Sequence, residues 1–228
     1  MIFDELRKLS SQKKAAALQR FFKTGKGEYG EGDKFLGVVV PDIRKIVKKY
    51  KDLPFSKINK ALKSKYHEER LTALLILVQQ FKIPDEKNRK KIFKLYLKSV
   101  KFVNNWDLVD LTAPNIVGLY LVDKKRDILY KLAKSKSLWE KRIAVLSTFQ
   151  FIKNDDFSDS LKISKILLRD SHDLIHKAVG WMLREIGKRS LKTELNFLEK
   201  YYKVMPRTML RYAIEKFSSK LRLKYLNS

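Results

Sequence analysis

Cysteine is absent from this chain, which excludes disulfides, thiol nucleophiles and cysteine-held metals and suits a reducing compartment. Glycine and proline are scarce, 8 and 5 residues in 228, so collagen-like, low-complexity and turn-rich β architectures are excluded. Histidine occurs three times, too sparsely for a histidine-rich metal site. No window offers the roughly 18 uninterrupted apolar residues of a membrane span. The first residues, MIFDELRKLSSQKKAAALQRFF, carry charge throughout, unlike an export signal. A cytosolic protein is expected. Acidic residues are also in deficit: 25 against 51 lysines and arginines, a net charge of 51 − 25 = +26, far beyond what solubility needs. Counterion release makes such a charge useful on nucleic acid, the favoured partner, although an anionic membrane surface or solvated lysine-rich faces could also account for part of it.

What is present in quantity is helix-forming. Segments of roughly 10 to 17 residues with helical apolar spacing alternate with short polar breaks, and none shows strand alternation. The second helix of each pair aligns on a basic residue: HEERLTALLIL at 67 to 77, WEKRIAVLSTF at 139 to 149, LIHKAVGWMLR at 174 to 184 and TMLRYAIEKF at 208 to 217. The shared positions Arg70, Arg142, Lys177 and Arg211 lie 72, 35 and 34 apart, a period near 35 with one copy unmatched. That copy falls on WDLVDLTAPNIV at 106 to 117, with Trp106 where the period calls for a basic residue. The expected fold is all-α, a HEAT-like helical repeat solenoid of about six helix pairs in one domain spanning 1–228.

Several motifs carry a sharp and a bland reading. Gly25, Gly27 and Gly30 match a dinucleotide fingerprint, but AAALQRFFK precedes them where that motif needs a strand. A flexible, acidic turn ended by Pro41 in the first turn of the next helix fits better. His172 and His176 share a helix face, yet lack the intervening glutamate and third ligand of a metal site, so they read as a helix-start and a surface histidine, with no metal and no cofactor. Lys177, Trp181, Arg184 and Lys188 form one stripe of three cations and an indole, suited to a nucleic-acid groove or to core and solvent. Trp139 with Arg142 is a second basic and aromatic pair, and Arg207 with Arg211 a third basic face.

The most specific constellation is Asn104-Asn105-Trp106-Asp107-Leu108-Val109-Asp110. Trp106 and Asp110, four apart, share a helical face. Pro114 cannot donate to the carbonyl of residue 110, so the helix should kink or end there. Capping explains Asp107; Asp110 is left either as a salt-bridge partner of an arginine or as a functional carboxylate.

With these residues in place the chain resembles the AlkD-like DNA alkylation repair glycosylases, which are HEAT-like repeat proteins. The resemblance runs from Tyr29-Gly30-Glu31-Gly32-Asp33, Phe35-Leu36-Gly37-Val38 and Pro41-Asp42-Ile43-Arg44, through Trp106 to Asp110 and Trp139-Glu140-Lys141-Arg142, to the segment Lys177 to Glu185. It implies that Asp110 is the catalytic aspartate, that Trp106 and Trp181 are cleft tryptophans, and that Arg142, or its neighbour Lys141, holds the DNA backbone. It implies excision of purines methylated at N3 or N7, handled while stacked in duplex DNA.

The residues suit that chemistry: an alkylated purine is already cationic and leaves neutral, so no general acid is needed, only stabilisation of charge growing on the deoxyribose. Arg142, Lys177, Arg184, Lys188 and Arg211 are then expected on phosphates, and Tyr29 near DNA in a role the residues do not define. The triplet Val38-Val39-Val40 is more apolar than a DNA-touching surface requires. A monomer acting on duplex DNA is expected. The competing reading is a non-catalytic repeat scaffold for nucleic acid or an acidic protein surface, which has no use for Asp110; RNA binding by the same face differs in substrate only.

Overall fold

The computed structural model describes residues 2–227, and among them the secondary structure is helical, with a lone bridge between Lys34 and Tyr66 in place of any strand. The chain forms two compact units, one up to Thr112 and one from Ala113 onward. The first holds α1 (Ile2–Lys8), α2 (Gln12–Phe21), a long loop over 22–39, α3 (Val40–Lys49), α4 (Phe55–Leu62), α5 (His67–Phe81), α6 (Glu86–Lys98), a 3-10 turn (Val100–Phe102) and α7 (Trp106–Ala113), whose last residue crosses the border. The second holds a π-helical turn (Pro114–Gly118), α8 (Asp127–Ala133), α9 (Leu138–Ser147), α10 (Phe149–Lys153), α11 (Ser158–Ile166), α12 (Asp173–Arg189), α13 (Leu191–Tyr201), α14 (Arg207–Ala213) and α15 (Ser219–Leu226), with 3-10 turns at Tyr202–Val204 and Ile214–Lys216. The all-α helical repeat class is thus as the periodicity predicts. No helix among the described residues is long and apolar enough to cross a membrane.

Each unit is organised around a central helix. In the first, α5 packs against α3, α4 and α6, burying Leu71, Leu74, Ile76 and Leu77 almost completely, each worth about 1.5–3 kcal/mol of transfer free energy. In the second, α12 contacts α9, α13 and α14 and buries Ile175, Val179, Met182 and Leu183. Gly180 permits the approach of α14: a β-carbon there would lie 2.4 Å from the Met209 carbonyl oxygen. Several polar breaks start the next helix by capping, with Ser11, Asp85, Ser137, Ser190 and Ser218 accepting from amides of the following turn, each cap worth about 1 kcal/mol.

The repeat's basic residues tie successive repeats together. Arg70 donates through Nε to the Phe102 carbonyl, 3.1 Å away, and Arg142 through Nη1 to the Leu174 carbonyl. Each acceptor lies 32 residues further along, one repeat on, at or just before the next inner helix. Both guanidinium side chains are buried, at 4% and 5% exposure.

Pro114 acts as its chemistry dictates. It cannot donate to the carbonyl of Asp110, the α-helix stops at Ala113, and the next five residues widen into the π-helical turn.

Candidate active site

The unmatched repeat copy takes on a different meaning once the helix starts are known. Arg142, Lys177 and Arg211 are each the fifth residue of their helices α9, α12 and α14. The fifth residue of α7 is Asp110. The period in the sequence assigns the basic position to Trp106, but the registers of α9, α12 and α14 assign it to Asp110, with Arg70 offset by one as the fourth residue of α5, so a carboxylate stands where those three sibling helices carry a cation.

Trp106 and Asp110 both line a cavity of about 620 Å³ in the first unit. Its walls are apolar: Leu18, Phe21 and Phe22 at the end of α2, Phe35 and Val38 to Val40 from the loop and the start of α3, and Leu71 and Leu111. Lys14 and Arg44 add positive charge. The valine triplet is therefore a cavity wall, with Val38 buried and Val39 and Val40 open. Four rings stack along one side: Trp106 on Phe22 at 5.1 Å and 22°, Phe22 on Phe35 at 5.1 Å and 17°, and Phe35 on His67 at 4.5 Å and 20°. Phe21, 62% exposed, meets Trp106 edge-on at 5.8 Å.

Behind the rings lies a buried charge cluster. His67 opens α5 with Nδ1 3.0 Å from Asp33 Oδ2 and Nε2 2.8 Å from Asp107 Oδ2. Arg70 Nη2 donates to the other Asp33 oxygen at 2.6 Å and to Asn104 at 3.0 Å. Burial opposes charge on His67, but the Asp107 carboxylate, by charge and hydrogen bond, and then Asp33 outweigh it and raise the imidazole to about 9. Burial likewise pushes Asp33 up, and the His67 hydrogen bond and Arg70 charge overcome it, leaving the carboxyl below its ordinary value.

Glu68 accepts from three consecutive amides, Leu36 at 2.9 Å, Gly37 at 2.8 Å and Val38 at 3.2 Å, fastening the loop to α5. Gly37 adopts φ +83°, and a side chain there would strike the Ser11 carbonyl. The N-terminus of α7 is held by Asn105, whose Oδ1 accepts from the Trp106 amide at 2.8 Å, and its far end by Tyr96, whose hydroxyl lies 2.9 Å from that of Thr112. Burial, reinforced by the charge of Asp110, raises the Tyr96 phenol.

Asp107 is thus a partner of His67 in the interior through Oδ2, while its Oδ1 accepts from the Leu108 amide in the first turn at 2.8 Å, as Asn105 Oδ1 does from Trp106. The run HEER at 67 to 70 is the signal that sequence reasoning passes over, since four polar residues opening an otherwise apolar helix are all buried. No group of three or more histidine, aspartate or glutamate side chains among the described residues is arranged to hold a metal ion. His172 caps α12, its Nδ1 accepting from Leu174, and His176 is half-buried against the Asp170 carbonyl.

The remaining expected site residues belong to the second unit, apart from Tyr29, half-buried in the 22–39 loop. Lys141 pairs with Asp170, Lys177 with Asp173 at 2.8 Å, Arg184 with Glu215, and Lys188 with Glu185 at 2.7 Å. Trp181 Nε1 donates to Glu185 at 3.1 Å and its ring lies 6.2 Å from that of Phe149. Arg211 is exposed. The stripe on α12 is therefore compensated by carboxylates, chiefly Glu185, four residues after Trp181 and three before Lys188, a spacing that places it on the same face and that the sequence reading passes over.

The class so defined is a basic helical repeat protein with an acidic residue set into an aromatic cleft. The chain belongs to the DNA alkylation repair enzyme family, whose model matches residues 2–217. Its fold is similar to that of a protein from Enterococcus faecalis described as a predicted DNA alkylation repair enzyme, with TM-score 0.72 and 14% identity over 92% of this chain and 97% of that one. No curated protein matches the chain. A role in repair of alkylation damage to DNA follows from the family.

Proposed function

We propose that the chain is a monofunctional DNA glycosylase that releases N3- and N7-alkylated purines from duplex DNA, as a monomer and without a cofactor. The observation that carries this reading is Asp110 beside Trp106 on the wall of the aromatic cavity, at the helix position where sibling repeats place a cation. A bare phosphate-binding surface gains nothing from a carboxylate there, since it repels the backbone.

The cleaved bond joins deoxyribose C1′ to a purinium ring. The electron pair leaves with the base, which departs neutral, and positive charge builds on the sugar. Asp110 stabilises that charge and orients the water that adds to C1′, losing its proton to the carboxylate or to solvent, while the Trp106 face supports the cationic sugar. The buried charged groups of the cavity are already engaged, His67 with two aspartates and Glu68 with three amides, so they are not offered to base edges, which accords with a lesion handled in the stack. By the family resemblance Trp181 also packs on the lesion nucleotide, and Lys141 or Arg142, with Lys177, Arg184, Lys188, Arg211 and Tyr29, meets the DNA, the paired cations exchanging carboxylates for phosphates.

The test is release of methylated bases from methylated duplex DNA by the protein and by its Asp110→Asn variant, with folding checked by circular dichroism. The variant should bind DNA and lose about 10²- to 10³-fold or more in rate. Equal release by both keeps the glycosylase and removes Asp110 from its mechanism. No release by either, with tight salt-sensitive binding, leaves a non-catalytic scaffold.

A further inference from the structure

The cluster Asp33–His67–Asp107 has no part in the chemistry above, yet it holds the helix that carries Trp106 and Asp110. Both imidazole nitrogens face carboxylate oxygens at hydrogen-bonding distance, 3.0 and 2.8 Å. An ionised carboxylate only accepts, and a neutral imidazole has one N–H and one lone pair. The geometry therefore satisfies both aspartates only when the ring carries two protons. We infer that His67 is a positioning residue: as an imidazolium it clamps the loop over 22–39, through Asp33, to the first turn of α7, through Asp107, and so aims Trp106 and Asp110 into the cavity.

The charges around it close the circuit. Facing His67 are Asp33 from the loop, Asp107 from α7, and Arg70 and Glu68 from its own helix, Arg70 bonded to Asp33 and Glu68 turned to the loop amides. Lys14 of α2, Arg44 of α3 and Asp110 of α7 share the cavity that His67 lines, and Phe22 and Phe35 cover the imidazole with uncharged rings. Asp33 keeps Arg70 when the imidazolium loses its proton, whereas among the described residues no other cation bonds to Asp107. The α7 end of the clamp is thus the one that yields, next to Trp106 and one turn before Asp110. With the imidazole raised to about 9, the clamp is closed at neutral pH and opens in mild alkali.

The inference rests on the glycosylase reading only for its consequence in catalysis, and the experiment separates the two. In the unaltered protein, nitrogen NMR at pH 7 should find one histidine, with both ring nitrogens protonated, that titrates near pH 9; a neutral His67 overturns the clamp with no variant needed. In a Trp139→Phe/Trp181→Phe background, where Trp106 is the sole indole, its fluorescence should change with the same midpoint. The His67→Gln/Asp107→Asn pair should abolish that change, because two amides and Asp33 keep the hydrogen-bonded link without a titrating ring.

Single-turnover base release by the parent should fall on the alkaline side with this midpoint. The paired variant should keep its pH 7 rate within about threefold and lose the alkaline limb. His67→Gln alone, whose amide places a nitrogen on one carboxylate and an oxygen against the other, should slow release about tenfold or more. A merely structural histidine would lower the melting temperature and leave the shape of the pH profile unmoved, and that result overturns the inference. A fluorescence transition removed by the pair, in a protein that releases no base at any pH, sustains the clamp and refutes the glycosylase.

Discussion

Glu194 on α13 is 1% exposed, one of its oxygens, Oε1, has no hydrogen-bond partner, and burial, only partly countered by the charge of Arg184, raises its carboxyl to about 8. It fits against Gly187, where a β-carbon would lie 1.6 Å from Glu194 Oε2. From pH 4.5 to 8 the native protein retains a proton that the unfolded chain has released. Stability must fall as pH rises through this window, by at most about 1.4 kcal/mol per pH unit, and level off above it. A shift of roughly 3.5 units corresponds to about 5 kcal/mol, and relaxation around the ionised group should reduce the observed figure to about 2–4 kcal/mol. Glu194→Gln removes the titrating proton while preserving shape. Urea unfolding of parent and variant at half-unit steps from pH 5 to 9 should show the two nearly equal at pH 5 and the variant more stable by about 2–4 kcal/mol at pH 8. His67, also raised, contributes stability that is lost as pH rises through about 9, but it does so in both proteins and cancels in the difference. A difference independent of pH would refute the reasoning.

Arg142→Ala removes a buried guanidinium bonded to the Leu174 carbonyl and should destabilise the second unit by about 1.5–3 kcal/mol. If the residue also meets a phosphate, the slope of log binding constant against log salt should fall by about 1, and an unchanged slope leaves it as an inter-repeat tie only. Gly180→Ala should lower the melting temperature by about 5 to 10 °C, since its methyl group meets the Met209 carbonyl and Tyr212 Cβ at 2.4 and 2.5 Å; a melt within a degree of the parent would show that α14 yields without strain.

The fold is legible in the sequence because many helices are amphipathic and several breaks carry a capping residue, as at Ser11, Asp85, Ser137 and Ser190. Both signals are local, and local signals survive without knowledge of packing. Pro114 is equally readable, since a missing donor acts four residues back whatever surrounds it. The site is legible in part. Trp106 and Asp110 share a helix face by spacing alone, but what Asp107 does depends on His67, 40 residues earlier, and what His67 does depends on Asp33, 34 residues earlier still. Pairings of that range leave no periodic trace. HEER reads as a solvated helix start, and only packing turns it into an interior cluster.

The cations of the repeat show the same limit and what it means for function. A period near 35 finds Arg70, Arg142, Lys177 and Arg211, and with the family resemblance the last three are expected on phosphates. Arg70 and Arg142 instead bond to carbonyls one repeat ahead, and Lys177 folds back on Asp173, so the regularity belongs first to the architecture. Arg142 uses the fifth position of α9 for such a tie, which asks for a donor, and the carboxylate of Asp110 donates nothing. The fifth position of α7 therefore does not serve the architecture as it does in α9, in a chain whose +26 charge supplies cations in excess. The segment around it is held by other means, with Asn105 accepting from the Trp106 amide, Tyr96 reaching Thr112 and Asp107 gripping His67. Three separate supports meet on one short helix of eight residues, and they hold in place the turn that brings an indole and a carboxylate to the same wall.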